Sequence, residues 1–271
     1  CHYFTCRLGA GAKTNAAGAD ILAASPCVWR VAVRRRRSDN GRMTSIPTEL
    51  SRLHPFETLT PDQVLDALDT VGLRGDGRLT ALSSYENRVY QVQLEDGSAV
   101  VTKFYRPGRW SDAQIQEEHD FSRELENAEV PAVGPMQLAG ASLHHFGGFA
   151  FSVSPRRGGR RPELDDGEVL EWIGRFLARF HAVGAASVFQ HRPALNLQNF
   201  GEDARDWLLS NERVPLDVQA RWTEVSRQAL DMVARHDCLA GRAPGRGEEA
   251  IGLLRLHGDC HPGNILWTPT D

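Results

Sequence analysis

The stretch that decides the fold lies near the end of the chain and reads LHGDCHPGNIL, from Leu256 to Leu266. In it an aspartate, Asp259, precedes an asparagine, Asn264, by five positions. In phosphotransferases of the kinase type, such an aspartate accepts the proton of the attacking hydroxyl, and the asparagine holds a Mg²⁺ ion beside the phosphates. Both side chains need one short, rigid loop, because a misplacement of about 1 Å can cost roughly a hundredfold in rate. The stretch therefore predicts phosphoryl transfer, with Asp259 as the catalytic residue and Asn264 as the metal ligand.

A zinc site is the alternative interpretation of the same stretch. His257, Asp259 and His261 alternate, so on an extended strand they would present three metal ligands on one face, as in a zinc hydrolase. The Pro262-Gly263 pair would break that strand at once, and Asn264 would have no role. We therefore favour the phosphotransferase and expect His257 to organise the loop through a hydrogen bond to the backbone.

Upstream of this stretch, the first half of the chain shows strand patterns interrupted by helices with N-terminal caps. Thr60-Pro61-Asp62-Gln63 predicts a helix start, with Thr as N-cap and Pro at the first helical position. Ser111 and Gln114 form a second capping box, which opens a helix with Ile115, Phe121 and Leu125 on its inner face. Period-two patterns and an Asp96-Gly97 turn predict the strands of an antiparallel sheet, namely Leu79–Leu82, Val89–Leu94, Ala99–Tyr105, Met136–Leu143 and Phe149–Val153.

Lys103, near the end of the third predicted strand, is the candidate nucleotide-binding lysine. A kinase needs a lysine there to hold the α- and β-phosphates, and a glutamate from the facing helix to steady it. Glu118 is the preferred partner because it shares the inner face of its helix, and Glu117 is the alternative. The polar loop 83–88 stands where many kinases carry a glycine-rich phosphate cover, although it contains no glycine, and Ser84 is its candidate contact with ATP.

After Pro155 the pattern becomes helical, with amphipathic segments predicted at Glu168–Ala185 and Asp217–His236. His181 is expected to be a core histidine. The fold class is therefore α+β, with a bilobal, protein-kinase-like arrangement. Residues 53–153 form a small N-lobe with an antiparallel sheet, and residues 154–271 form a mainly helical, incomplete C-lobe. The adenine of ATP is expected on hinge backbone near Ser154.

Composition limits the remaining possibilities. The 271 residues suffice for two lobes, and the formal charge of −4 gives no reason to expect nucleic acid or an anionic membrane as partner. No apolar stretch approaches the ~20 residues of a membrane-spanning helix. Five scattered cysteines without a CxxC pair fit reduced thiols, so we expect a cytoplasmic protein. We further expect it to act as a monomer. Residues 1–42, rich in Ala, Gly and Arg, are expected to be disordered or a non-native extension.

Several stretches resemble one known family, the bacterial stress response kinase A group of Ser/Thr protein kinases, within the aminoglycoside-phosphotransferase-like superfamily. The resemblance runs from about Leu53 to Trp267. The matching stretches are SYENRVYQ (84–91), KFYRPGRW (103–110), HRP (191–193), LRLHGDCH (254–261) and GNILW (263–267). The His-Gly-Asp…Asn element marks only the superfamily, whereas the first two stretches are specific to the family.

The resemblance implies an ATP- and Mg²⁺-dependent kinase that phosphorylates Ser and Thr residues of a protein substrate and is connected with the stress response. It gives Asp259 the proton-acceptor role, Asn264 a Mg²⁺-ligand role and Ser84 a position at the ATP site. The family's second catalytic aspartate, in an Asp-hydrophobic-Asp segment, does not occur before Asp271. The chain as it stands is therefore expected to show no transfer activity.

Two other functions stay open on the sequence. The first is a small-molecule hydroxyl kinase, acting on an aminoglycoside, choline or homoserine, since one fold serves many acceptors. The second is an inactive nucleotide-binding regulator, which the missing aspartate favours.

Overall fold

The computed structural model describes residues 4–8, 29–30, 55–235 and 253–268. Within these ranges the strands are β1 (Phe4–Leu8), β2 (Trp29–Arg30), β3 (Gly75–Leu82), β4 (Arg88–Leu94), β5 (Ala99–Phe104), β6 (His144–Phe146), β7 (Phe149–Pro155) and β8 (Leu253–Leu256). The α-helices are α1 (Pro61–Asp69), α2 (Asp112–Asn127), α3 (Gly167–Gly184), α4 (Asp203–Ser210) and α5 (Leu216–Arg235). None of these helices combines the length and the apolar character that crossing a bilayer requires.

The described residues fall into two compact units. The first contains residues 55–177 and 260–268, and the second contains residues 4–8, 29–30, 178–235 and 253–259. Helix α3 begins in the first unit and ends in the second. The predicted division into an N-lobe (53–153) and a C-lobe (154–271) stays a prediction.

The first unit is built on a five-stranded antiparallel sheet in the order β3-β4-β5-β7-β6. Its alternating strands bury one face, where Phe104 stacks on Phe151 with ring centroids 5.4 Å apart. Helix α1 adds Val64, Ala67 and Leu68 to this core, all with 0% exposure. The predicted start of α1 is confirmed, because the Thr60 side chain accepts a hydrogen bond from the Gln63 backbone N–H and Pro61 is the first helical residue.

Helix α2 also begins where the sequence predicts. Ser111 accepts a hydrogen bond from the Gln114 N–H, and the Gln114 side chain accepts one from the Ser111 N–H at 2.9 Å, so both halves of the capping box are present. The inner face predicted for this helix is buried: Ile115, Phe121 and Leu125 are at most 1% exposed. The α+β fold class is confirmed by the antiparallel sheet and the helices that pack on it.

One predicted strand is wrong. Met136–Leu143 does not form a strand, and the structure has only an isolated bridge between Leu138 and Ala141, with β6 starting at His144. The reason is a tight turn: Ala139 (φ 47°) and Gly140 (φ 83°) both adopt the left-handed conformation, which reverses the chain. Met136 still donates its N–H to the Val153 carbonyl at 2.7 Å, so the segment contacts β7 at that residue.

In the second unit, β8 pairs antiparallel with β1, with Phe4 opposite Leu256 and Arg7 opposite Leu253. Strands β1 and β2 fall within residues 1–42, most of which lie outside the described residues, so the prediction for that segment stays a prediction. The predicted helix Glu168–Ala185 is confirmed as α3 to within a residue at each end. The predicted helix Asp217–His236 is observed as α5, while His236 lies outside the described residues. Helix α4 is not foreseen by the sequence analysis.

Candidate active site

Lys103 and Glu118 form an ion pair in the first unit. The Nζ atom of Lys103 lies 2.9 Å from Oε1 of Glu118, and the two side chains are 21% and 11% exposed. Lys103 stands on β5 opposite Val89 of β4 and Ser152 of β7, so it comes from the middle of the sheet. The predicted pairing with Glu118 is confirmed. The position of Glu118 follows from the helical period, because it shares the buried face of α2 with Ile115 and Phe121.

A buried polar cluster lies next to this ion pair. The Tyr105 ring lies 4.5 Å from Lys103 Nζ, in cation–π geometry. The Tyr105 hydroxyl is 2.7 Å from Nε2 of His119 and 3.2 Å from Oγ of Ser152. The other ring nitrogen of His119, Nδ1, is 2.9 Å from Oγ of Ser142. Both ring nitrogens of His119 therefore have hydrogen-bond partners inside the protein.

Burial sets the protonation of this cluster. Desolvation lowers the pKa of His119 to about 4, against a smaller opposing effect of the Glu118 carboxylate. Burial likewise raises the pKa of the Tyr105 hydroxyl. At neutral pH the imidazole and the phenol are both uncharged, so the charges of this cluster are confined to Lys103 and Glu118.

The loop 83–88, which carries Ser84, is held at its second half. The carboxylate of Glu86 accepts hydrogen bonds from the indole N–H of Trp110 (2.7 Å) and from Nε of Arg109 (3.2 Å). Asn87 is 8% exposed, and its Oδ1 accepts the backbone N–H of Arg106 at 3.2 Å. At the tip of this loop, Ser84 is half-buried and Tyr85 is fully exposed. The stretches 84–91 and 103–110, which carry the family resemblance, thus contact each other.

Ser154 lies in β7, opposite Val101 of β5. Ser154 is thus still part of the sheet. The strand ends one residue later, at Pro155, which lies opposite Val100. The expectation that hinge backbone near Ser154 binds adenine stays a prediction.

The segment leading to Asp259 is anchored in the second unit by a buried arginine that sequence reasoning missed. Arg255 is 3% exposed, and its guanidinium donates to the carbonyl of Val183 at 3.1 Å, near the C-terminal end of α3. A cation suits the negative end of a helix dipole. His257 accepts the backbone N–H of Asp259 on Nδ1 at 3.3 Å, which confirms it as a loop-organising residue. Asp259 itself is half-buried.

Asn264 lies in the first unit, in a single 3₁₀ turn at Pro262–Asn264. His261 precedes this turn as its N-cap and accepts the Gly263 N–H on Nδ1 at 3.1 Å. Asn264 is exposed, and its backbone N–H donates to the His261 carbonyl at 2.8 Å. Three residues on, Trp267 exchanges two backbone hydrogen bonds with Arg160, which fixes the end of the segment.

The structure thus assembles part of the predicted site. Ser84, Lys103, Glu118, Ser154 and Asn264 belong to the first unit, and Asp259 belongs to the second. Lys103 and Glu118 are in direct contact. Within the described part of the chain, no group of three or more His, Cys, Asp or Glu side chains is arranged to hold a metal ion. Of the supporting residues that the sequence analysis missed, Glu86 and Arg109 carry a local signal, since both fall inside the family-specific stretches.

Residues 78–271 match the model of the phosphotransferase enzyme family, and the chain belongs to that family. It is 42% identical over 212 residues to stress response kinase A of Escherichia coli O157:H7, and 39% identical over 212 residues to serine/threonine protein kinase RdoA of Salmonella typhimurium strain LT2. Each alignment covers 78% of this chain and 62% of the relative, so the chain spans less than two thirds of the length of these relatives.

A solved structure has a similar fold. It is the amicoumacin kinase hAmiN in complex with AMP-PNP, Ca²⁺ and Ami, with a TM-score of 0.59 and 18% sequence identity. The superposition covers 80% of this chain and 64% of that one. At this level of identity the likeness concerns the fold alone.

Proposed function

We propose that this chain carries the ATP site and the catalytic loop of an ATP- and Mg²⁺-dependent kinase that phosphorylates Ser and Thr residues of a protein substrate in the stress response. The observation that carries the proposal is the ion pair between Lys103 and Glu118, on the strand and helix where a kinase needs it. Membership of the phosphotransferase family and the relatives named as stress response and serine/threonine kinases support it.

In this proposal each candidate residue has one role. Lys103, oriented by Glu118, binds the α- and β-phosphates, and Ser84 contacts the phosphates from the loop above them. Backbone near Ser154 binds the adenine. Asp259 accepts the proton of the attacking hydroxyl. Catalysis then rests on positioning and on charge stabilisation rather than on a covalent intermediate.

The donors assigned to the metal fit Mg²⁺. This ion prefers hard oxygen ligands and usually takes one or two from the protein, with water and phosphate oxygens completing its shell. The exposed amide of Asn264, presented on a turn whose start is capped by His261, offers such an oxygen. When bound, Mg²⁺ would neutralise charge on the phosphates during transfer.

We place the protein in the cytoplasm as a monomer, with ATP and a protein substrate as its partners and without nucleic acid or membrane. The formal charge of −4 supports the exclusion of nucleic acid and membrane, and the absence of a CxxC pair among its five cysteines supports the cytoplasm.

The test is radiolabel transfer from γ-labelled ATP by a version of the protein extended to the full length of its relatives, because the chain itself is expected to show no transfer. A general protein acceptor is offered in one reaction, and a panel of small alcohols, including an aminoglycoside, choline and homoserine, in the other. Label on protein Ser and Thr residues is the expected result. Label on a small alcohol alone would replace the protein kinase with a small-molecule kinase. ATP binding without transfer to any acceptor would favour a nucleotide-binding regulator.

A further inference from the structure

Three nucleotide-binding elements converge on one short segment of the first unit. Residues 105–111 connect β5, which carries Lys103, to α2, which carries Glu118. The same segment receives the loop 83–88, which carries Ser84, through the hydrogen bonds of Glu86 and Asn87. We call the contacts among Glu86, Asn87, Arg106, Arg109 and Trp110 the loop clamp.

The loop clamp has the chemistry of a rigid connection. The Glu86 side chain is 17% exposed and receives two N–H donors, one of them from a guanidinium. Hydrogen bonds that involve charged groups are stronger than neutral ones. The Arg109 guanidinium also lies 4.4 Å from the centre of the Trp110 ring, so the two donors support each other.

The register of the sheet places the clamp beside Lys103. Arg88 of β4 pairs with Phe104 of β5, and Val89 pairs with Lys103 itself. Glu86 and Asn87 are therefore the last loop residues before the ladder that contains the lysine. A displacement of the loop at Glu86 would move Ser84 relative to Lys103, while the sheet below it would stay in place.

We propose that Glu86 is a positioning residue of the ATP site, which locks the Ser84 loop to the segment that joins Lys103 to Glu118. The inference rests on the proposed function. Glu86 touches no phosphate in this scheme and acts through the position of Ser84 and its neighbouring backbone. The affinity for the phosphates of ATP should therefore depend on Glu86, and the affinity for the adenosine part should not.

The experiment compares binding of MgATP and of adenosine to the purified protein. Glu86→Gln removes the charge but keeps the size, and Trp110→Phe removes the indole N–H while keeping an aromatic ring beside Arg109. Glu95→Gln is the matched control, since Glu95 is an exposed glutamate at the opposite end of β4. We expect Glu86→Gln and Trp110→Phe each to weaken MgATP about tenfold, as the loss of a charge-assisted hydrogen bond implies. Adenosine affinity should stay unchanged, and Glu95→Gln should bind both ligands normally.

Two results would overturn this inference without affecting the proposed function. The first is that Glu86→Gln binds MgATP as tightly as Glu95→Gln does. The second is that Glu86→Gln loses affinity for MgATP and adenosine equally, which would indicate general loosening of the first unit. If Glu86→Gln fails to fold, Trp110→Phe decides by the same comparison. Failure of the unchanged protein to bind MgATP would instead overturn the proposed function, and the role of the clamp with it.

Discussion

Lys103 shows how a half-buried charge is stabilised by residues from several elements. Its ammonium is paired with Glu118 from α2, and the Tyr105 ring lies beneath it from the end of β5. Loss of either member of a buried ion pair is costly because the other charge is left desolvated. Glu118 could be predicted from the helical period. The neutral cluster of Tyr105, His119 and Ser142 could not, because its members come from three separate segments of the chain.

His119 gives a pH prediction at this scale. Its pKa in the folded protein, about 4, lies below the ordinary value of 6.5, so the unfolded chain binds a proton more readily. The contribution of this group to stability is complete above pH 6.5 and is lost as the pH falls from about 6.5 to about 4. The slope is at most about 1.4 kcal/mol per pH unit.

Denaturant unfolding at several pH values between 4 and 7 measures this effect. His119→Gln, which keeps hydrogen-bonding capacity but does not titrate, should flatten the pH dependence of the free energy of unfolding. His144 and His181, whose pKa values burial also lowers, would continue to contribute in the same direction. A variant with the slope of the unchanged protein would contradict the account of His119 as a buried neutral histidine.

At the scale of elements, the contact between α3 and β8 positions the start of the loop that carries Asp259. Gly184, the last residue of α3, passes so close to β8 that an added Cβ would meet the Arg255 carbonyl oxygen well inside van der Waals contact. That oxygen belongs to a backbone held by pairing with β1, so it cannot move aside easily. The same stretch of β8 leads directly to His257 and Asp259.

The two glycines Gly184 and Gly174 of α3 provide a matched test. Gly184→Ala should lower the free energy of unfolding by about 1–3 kcal/mol, the usual cost of overpacking. Gly174→Ala has open space around its new methyl group and should raise it by up to about 1 kcal/mol, the helix-propensity gain of Ala over Gly. Denaturant titrations of the two variants give both values. Equal effects in the same direction would show that Gly184 is not held against β8.

The sequence predicted elements whose signals are local. The N-cap of α1, the capping box of α2 and the period-two strands β4 and β5 are predicted correctly, because each is encoded within a few consecutive residues. The strand expected at Met136–Leu143 failed because the turn at Ala139-Gly140 outweighs the apolar pattern around it. Contacts between distant segments, such as Glu86 with Trp110 and Arg255 with the end of α3, have no signature in spacing or periodicity.

For the molecule as a whole, the proposed ATP site predicts that MgATP increases the free energy of unfolding. A ligand that binds only the folded state stabilises it by about 2.7 kcal/mol at a hundred times its dissociation constant. MgATP should therefore raise the unfolding midpoint of the protein, although the exact shift depends on the affinity.

A double variant separates this effect from the stability of the fold itself. Lys103→Met with Glu118→Gln removes both charges of the pair, so neither is left buried and alone. Without nucleotide its unfolding midpoint should remain near that of the unchanged protein, and the increase with MgATP should disappear. An undiminished increase would show that the nucleotide binds away from Lys103.

The central claim is that Asp259 accepts the proton in phosphoryl transfer, and one substitution tests it most directly. Asp259→Asn preserves the shape of the side chain but removes its basicity. The measurement, made on a full-length version of the protein, is the rate of transfer from labelled ATP, together with the ATP affinity of the same preparation. We predict a loss of about 10²–10⁴ in rate, the contribution of a general base, with the ATP affinity largely intact. Transfer at the rate of the unchanged protein would contradict the assignment.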